Sequence, residues 1–195
     1  RMSLTLYFAP GSSSMAPHIA LHEIGCPFEP RPLSFHNRET RTPEFLALNP
    51  AGKVPVLVVD GQPISEVLAI LFYLARAFPE AGLLPDGLVA EGRALDWMSF
   101  LASTVHASRT RGLEAAREAW TLADRKLDET DWAVAGRYSI ADIHLFRIYW
   151  RFRNALNPTP GEFAGIERHY ARMMARPAVI RTIEIESAIG YQLPA

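Results

Sequence analysis

LTLYFAPGSSSMAPHIALHEIG, residues 4–25, changes its period part-way along. The first five residues read as a short strand, and from Ser14 onward the apolar residues recur at helical spacing. A Pro-Gly turn and three consecutive serines, Ser12, Ser13 and Ser14, separate the two. One serine is enough to cap a helix. In an open α/β sheet, ligands collect beyond the carboxyl ends of strands, where helix N-termini aim their amides outward. A spare hydroxyl at this junction is therefore expected to donate to a bound anion, while a neighbour caps.

Working outward, FEPRPL (28–33) and VPVLVV (54–59) read as further strands, and SEVLAILFYLARAF (65–78) as a helix. A helix between the first two strands makes them parallel, and Asp60-Gly61-Gln62 is a hairpin signal that makes the third and fourth antiparallel. The stretch between the second and third strands reads as helix-poor. FPEAGLLPDG then supplies a linker over 79–87. Beyond it the pattern is helical, with helices expected over 88–106, 112–129, 139–155, 163–175 and 177–188. The expected organisation is an α/β domain over 1–78 and an all-α domain over 88–195, with an unusually short connection, HASRTRG, at 106–112.

The 195 residues carry a net charge of −1 and are 49% hydrophobic, enough for real cores without a basic footprint for nucleic acid or an acidic membrane. Apolar runs are too short to span a bilayer and no signal peptide precedes LTLYF, so a cytoplasmic setting is expected. Cys26 is the single cysteine, which excludes an internal disulfide and a CxxC redox pair.

Several motifs carry chemistry or folding signals. In GRYSIADI (136–143), Ser139 and Asp142 form a capping box, with Tyr138 and Ile143 in the staple positions. In NPAGKVP (49–55), the Val54-Pro55 dipeptide by itself reads as an ordinary trans edge proline; a cis bond there would turn the Val54 backbone outward to pair with an extended peptide. Ser65-Glu66 reads as the opening of the next helix, either as capping or as a site for the zwitterionic end of an amino acid. His18 and His22 stand four apart on one helical face beside Glu23, a spacing open to zinc, but no third ligand is placed and no metal is expected. Cys26 reads as a packed residue. The aromatic and basic stretch IYWRFRN (148–154) reads as a core helix with a solvated face, and Trp97, Phe100 and Trp150 as core or pocket lining.

LYFAPGSSSMAPHIAL, NPAGKVPVLVVDG, SEVLAILFYL and GRYSIADIHLF together resemble the cytosolic glutathione transferases, closest to bacterial beta-class members, over essentially the whole chain. The resemblance implies a thioredoxin-like N-terminal domain, an all-α C-terminal domain and a homodimer. It implies glutathione as co-substrate, conjugated to a small hydrophobic electrophile. Val54, with Pro55, would pair with the cysteinyl part of glutathione; Ser65 and Glu66 would hold the γ-glutamyl end, and Lys53 would lie near the glycine carboxylate. His106 and Met15 would border the electrophile pocket. Beta-class members usually carry cysteine where Ser13 stands, so thiolate stabilisation replaces thiol exchange. As donors to the sulfur, Ser13 and Ser14 rank equal, Ser12 next and Tyr7 last. A glutathione-dependent isomerase or ether-cleaving enzyme, or a non-catalytic binding protein of this fold, are the alternatives.

Overall fold

A computed structural model of the chain describes residues 1–134 and 136–194. The first strand, β1 (Leu4–Phe8), runs into α1 (Met15–Ile24), and the chain returns along β2 (Glu29–Pro32), parallel to β1. After α2 (Pro43–Leu48), β3 (Val56–Val59) and β4 (Gln62–Ser65) form the hairpin read from Asp60-Gly61-Gln62, and α3 (Val67–Ala77) follows. The sheet order is β2-β1-β3-β4, with β3 antiparallel to both of its neighbours. Period-two alternation places Leu4, Leu6 and Phe8 of β1 fully inside. The opposite set, Tyr7 with Val56 and Val58 of β3, packs with Phe45 and Leu48 of α2.

Helix α2 fills the stretch expected to be helix-poor. Thr42 caps it by accepting the Phe45 amide at 3.3 Å, and Pro43 occupies the first helical position, where its missing N–H costs nothing. Six residues between two prolines are too few for a helical period to register in the sequence.

The all-helical part contains α4 (Leu88–Phe100), continued as a π-helical turn over Leu101–His106, then α5 (Leu113–Leu127), α6 (Ile140–Leu156) and α7 (Ala164–Met174). A single tight turn joins α4 to α5: the Ser108 hydroxyl closes on the Val105 carbonyl at 2.6 Å, and Gly112 takes φ +98°. Helix α6 is buried around its whole circumference from Ile140 to Tyr149, as expected of the central helix of a bundle. Its N-terminus carries the expected capping box. Asp142 is fully buried and accepts the Ser139 amide (2.9 Å), the Ala133 amide (2.9 Å) and His169 Nε2 (2.8 Å). The stretch expected as linker is tied down too, for the Ile140 amide donates to the Leu83 carbonyl at 2.8 Å.

The last helix, α8 (Pro177–Ile189), departs from the expected division. It packs along α1, so one compact unit comprises residues 1–78 with 177–195 and the other residues 79–176. The physical reason is a buried polar seam: Glu186 meets His18, and Thr182 meets His22. Among the described residues no helix is long and apolar enough to cross a membrane.

Candidate active site

The three serines do three different things. Ser14, 0% exposed, accepts the Ala9 amide on its hydroxyl oxygen at 3.0 Å, and the Ser12 hydroxyl donates to the Ala9 carbonyl at 2.7 Å. The two hydroxyl oxygens lie 2.6 Å apart, and Ser14 Oγ is also 3.1 Å from the Ala9 carbonyl. Whichever hydroxyl donates to the other, both protons are consumed inside the turn. Ser12 and Ser14 are therefore a latch that fastens the start of α1 to the end of β1. Neither caps the helix: Ser14 stands in the N-cap position without a side-chain cap hydrogen bond, which corrects the expectation that one serine would.

Ser13 is the half-buried one, and its hydroxyl donates to the Val54 carbonyl at 3.3 Å. Among the described residues nothing accepts its backbone N–H. The difference between them is one of commitment: Ser12 and Ser14 are buried with short hydrogen bonds inside the turn, whereas Ser13 is half-buried and holds only the long 3.3 Å bond to the Val54 carbonyl.

The latch is held from behind by a residue that the sequence analysis passed over. Glu186 of α8, 0% exposed, accepts the Gly11 amide on one carboxylate oxygen at 2.7 Å and faces His18 Nδ1 with the other at 2.6 Å. Gly11 adopts φ +75°, a conformation glycine enters without steric cost. A buried carboxylate that satisfies two buried donors sets where the serine turn sits.

Val54 is aimed by the loop that precedes it. Asn49 accepts the Ala51 amide at 3.1 Å and donates through Nδ2 to the Lys53 carbonyl at 2.8 Å. Gly52, at φ +63°, packs so tightly that an added Cβ would stand 2.7 Å from Arg41 Nη1 and 3.0 Å from the Thr40 carbonyl. The Val54-Pro55 peptide is cis, so the trans edge proline is not what the chain adopts. Among the described residues no group bonds to the Val54 amide. Lys53 is exposed beside it.

Glu66 opens α3 as expected, standing at its N-cap with its carbonyl accepting the Ile70 amide at 3.0 Å, whereas Ser65 belongs to the preceding strand. Ser65 is the last residue of β4, paired with Val56, and Glu66 stands between strand and helix at φ +73°, ψ +123°. Such a conformation in a non-glycine residue costs roughly 1–3 kcal/mol and concentrates at functional sites. The Glu66 side chain makes no cap hydrogen bond, so capping does not account for it; it is exposed at the helix N-terminus.

Residues 2–76 match the family described as glutathione S-transferase, N-terminal domain, and residues 96–177 match glutathione S-transferase, C-terminal domain. The chain belongs to the glutathione S-transferase family. It is 28% identical to the glutathione S-transferase GstA of Escherichia coli O157:H7, over 97% of this chain and 98% of that protein. A sphingomonad glutathione S-transferase complexed with glutathione superposes with a TM-score of 0.83 at 30% identity, covering 94% of this chain and 98% of that one. The bacterial beta-class enzyme of Sphingomonas chungbukensis superposes at 0.81 with 32% identity, covering 93% and 98%.

Within this transferase the other expected residues fall differently. Tyr7 packs its ring on Phe45, with centroids 5.7 Å apart, on the α2 side of the sheet. Met15 is fully buried and acts as core, which corrects its placement in a ligand pocket. His106 ends the π-helical turn of the second unit, half-buried, with its ring edge-on to Phe152. Burial, then Arg109 and Arg147, push its pKa down to about 4, so it is neutral near pH 7. The His18 and His22 rings lie 4.6 Å apart, each with Nδ1 engaged, and among the described residues no group of three or more potential ligands is placed for a metal ion.

Sequence reasoning missed Glu186 and Asn49. Glu186 carried no signal, since an acidic residue in a helix normally faces water. Asn49 carried one: Asn before Pro-Ala-Gly is a turn signature.

Proposed function

We propose that the protein conjugates the thiolate of glutathione to a hydrophobic electrophile. The observation that carries the reading is the juxtaposition of the Ser13 hydroxyl and the Val54 backbone, 3.3 Å apart. A cysteinyl residue paired with the Val54 amide and carbonyl as an added strand brings its sulfur, one carbon from that backbone, against Ser13. Two donors meet it there at the positive end of α1, the Ser13 amide and the Ser13 hydroxyl, which turns from the Val54 carbonyl to the sulfur as the incoming peptide takes over that carbonyl.

The magnitudes suit that assignment. A thiol of pKa about 8.5 is only ~3% ionised at pH 7, and lowering it by about two units takes about 2.7 kcal/mol of preferential interaction with the anion. One or two charge-assisted hydrogen bonds at about 1.5–3 kcal/mol each supply it. The thiol proton leaves to solvent, the sulfur lone pair forms the new C–S bond, and the displaced group departs with its electron pair.

At the other end, the exposed carboxylate of Glu66 suits the γ-glutamyl ammonium, with Ser65 beside it and Lys53 suited to the glycine carboxylate. The strain held at Glu66, whose side chain makes no cap hydrogen bond, supports a binding role. Neutral His106 offers an uncharged ring to an apolar acceptor. The same reading includes a homodimer, which would cover Leu88 and Val89 of α4, 85% and 73% exposed.

The test is retention on glutathione resin together with turnover of a chloronitrobenzene. Retention with conjugation supports the assignment; retention without it favours a binding protein, and no retention refutes glutathione as ligand.

A further inference from the structure

We infer that the electrophile conjugated by this protein is a small aryl compound bearing a carboxylate, with Arg109 receiving the carboxylate and Phe152 the ring. The inference rests on the conjugation reading, which gives the acceptor to the surroundings of His106, and it narrows the acceptor's class from the side chains gathered there.

Those side chains are cationic. The Phe152 ring of α6 meets the His106 ring edge-on at 5.8 Å, and two guanidiniums lie over it, Arg109 at 5.3 Å and Arg151 at 5.1 Å from its centroid. Arg147, 3% exposed, stands one helical turn before Arg151. The histidines of the group add no charge. Burial, then Arg109 and Arg147, hold the His106 pKa at about 4, and burial, then Arg147 and His106, hold that of His144 at about 3. Burial and then Arg109 also pull the Arg151 pKa down. No carboxylate is among the groups that shift these three side chains.

Arg109 is the member left for a ligand. It is exposed, and among the described residues its guanidinium forms no ion pair or hydrogen bond. A cavity of about 150 Å³ shares Arg109 in its lining, with Val105, Ala116, Trp120, Phe152 and Leu156, and none of the residues around it is acidic. About that volume is enough for one benzene ring. The mainly apolar walls select an apolar body, and the guanidinium sets the sign of the one charge that the body carries. Stacking on Phe152 restricts the Arg109 fork, so little freedom is lost when a planar carboxylate pairs with it. In the reaction the glutathione thiolate forms a C–S bond to a ring carbon and a halide leaves that carbon with the electron pair of the broken bond; the carboxylate only anchors.

The test compares 4-chloro-3-nitrobenzoate with its methyl ester, each assayed with glutathione and the full chain. The quantity read is kcat/KM for the acid divided by that for the ester, each relative to its uncatalysed rate. Arg109→Gln is expected to lower this ratio about tenfold, as for one lost charge-assisted contact, and Arg109→Lys to restore part of it. Arg111→Gln removes a neighbouring exposed cation that does not line the cavity, and is expected to leave the ratio unchanged. A ratio unchanged in Arg109→Gln, an equal fall in Arg111→Gln, or turnover of the ester without the acid overturns the inference and leaves conjugation standing. Turnover of neither compound by the wild type refutes conjugation itself, and the inference with it. Position 109 is exposed, so these substitutions leave the fold intact.

Discussion

Removing the carboxylate of Glu186 tests whether the C-terminal helix holds the serine turn in place. In Glu186→Ala, the Gly11 amide and His18 Nδ1 both lose a buried acceptor, at present 2.7 and 2.6 Å away. Each buried donor left unsatisfied costs about 1–3 kcal/mol, so the pair should cost roughly 2–5 kcal/mol. For a chain of this length each kcal/mol lowers Tm by about 2–4 °C, which gives a fall of about 4–20 °C in a thermal melt. Glu186→Gln keeps one acceptor oxygen and should lose about half as much. Activity should fall further than stability requires: at a temperature where the variant stays folded, kcat drops because the Ser13 turn is loosened, while the KM for glutathione moves little. A Tm within about 2 °C of wild type in Glu186→Ala, with kcat unchanged, would refute the clamp.

The serines should separate cleanly. Ser14→Ala leaves the Ala9 amide without its acceptor and should cost about 1–2 kcal/mol in urea unfolding, whereas Ser13→Ala should leave the urea midpoint within about 0.5 kcal/mol and lower turnover about tenfold. Asp142→Ala, which strips three partners from a buried carboxylate, should destabilise by about 3–5 kcal/mol against about 1 kcal/mol for Ser139→Ala, measured by the same melts. Acid should destabilise the fold before its carboxylates titrate. His22 and His106 have folded pKa values pushed down to about 4, and fully buried His144, chiefly through desolvation, to about 3. All three start from 6.5, so unfolded chains bind protons that the folded chain refuses; stability is complete above pH 6.5 and is lost as pH falls toward 4. The slope is about 1.4 kcal/mol per pH unit for each histidine fully charged only when unfolded, and a flat urea midpoint between pH 7 and 5 would contradict it.

Much of the architecture was legible because its signals are local. The switch from strand to helix at Ser12–Ser14, the Asp60-Gly61-Gln62 hairpin and the Ser139/Asp142 box each lie within a few residues, and each reappears in the structure. Helix α2 was hidden by its length, though Thr42-Pro43 is a start signal that could have been read. The allegiance of α8 was not legible, because the period of a helix says that it buries a face and not against what. Glu186 turns inward through a contact 175 residues away in sequence, and no nearby residue announces it. In the site itself, Ser13 and Ser14 ranked equal from the sequence, with Ser12 next. Which one faces Val54 depends on the dihedral angles of a tight turn, and only backbone geometry separates Ser13 from its two latched neighbours. The left-handed backbone of Glu66 was equally invisible, since nothing in Ser-Glu-Val calls for it.

A pH titration of thiolate absorbance for bound glutathione, in wild type and in Ser13→Ala, bears most directly on the mechanism. The account predicts a bound thiol that ionises about two pH units below its free value in wild type, and about one unit or more higher in Ser13→Ala. Identical ionisation in the two proteins, or a bound thiol that ionises near pH 8.5 in wild type, would contradict it.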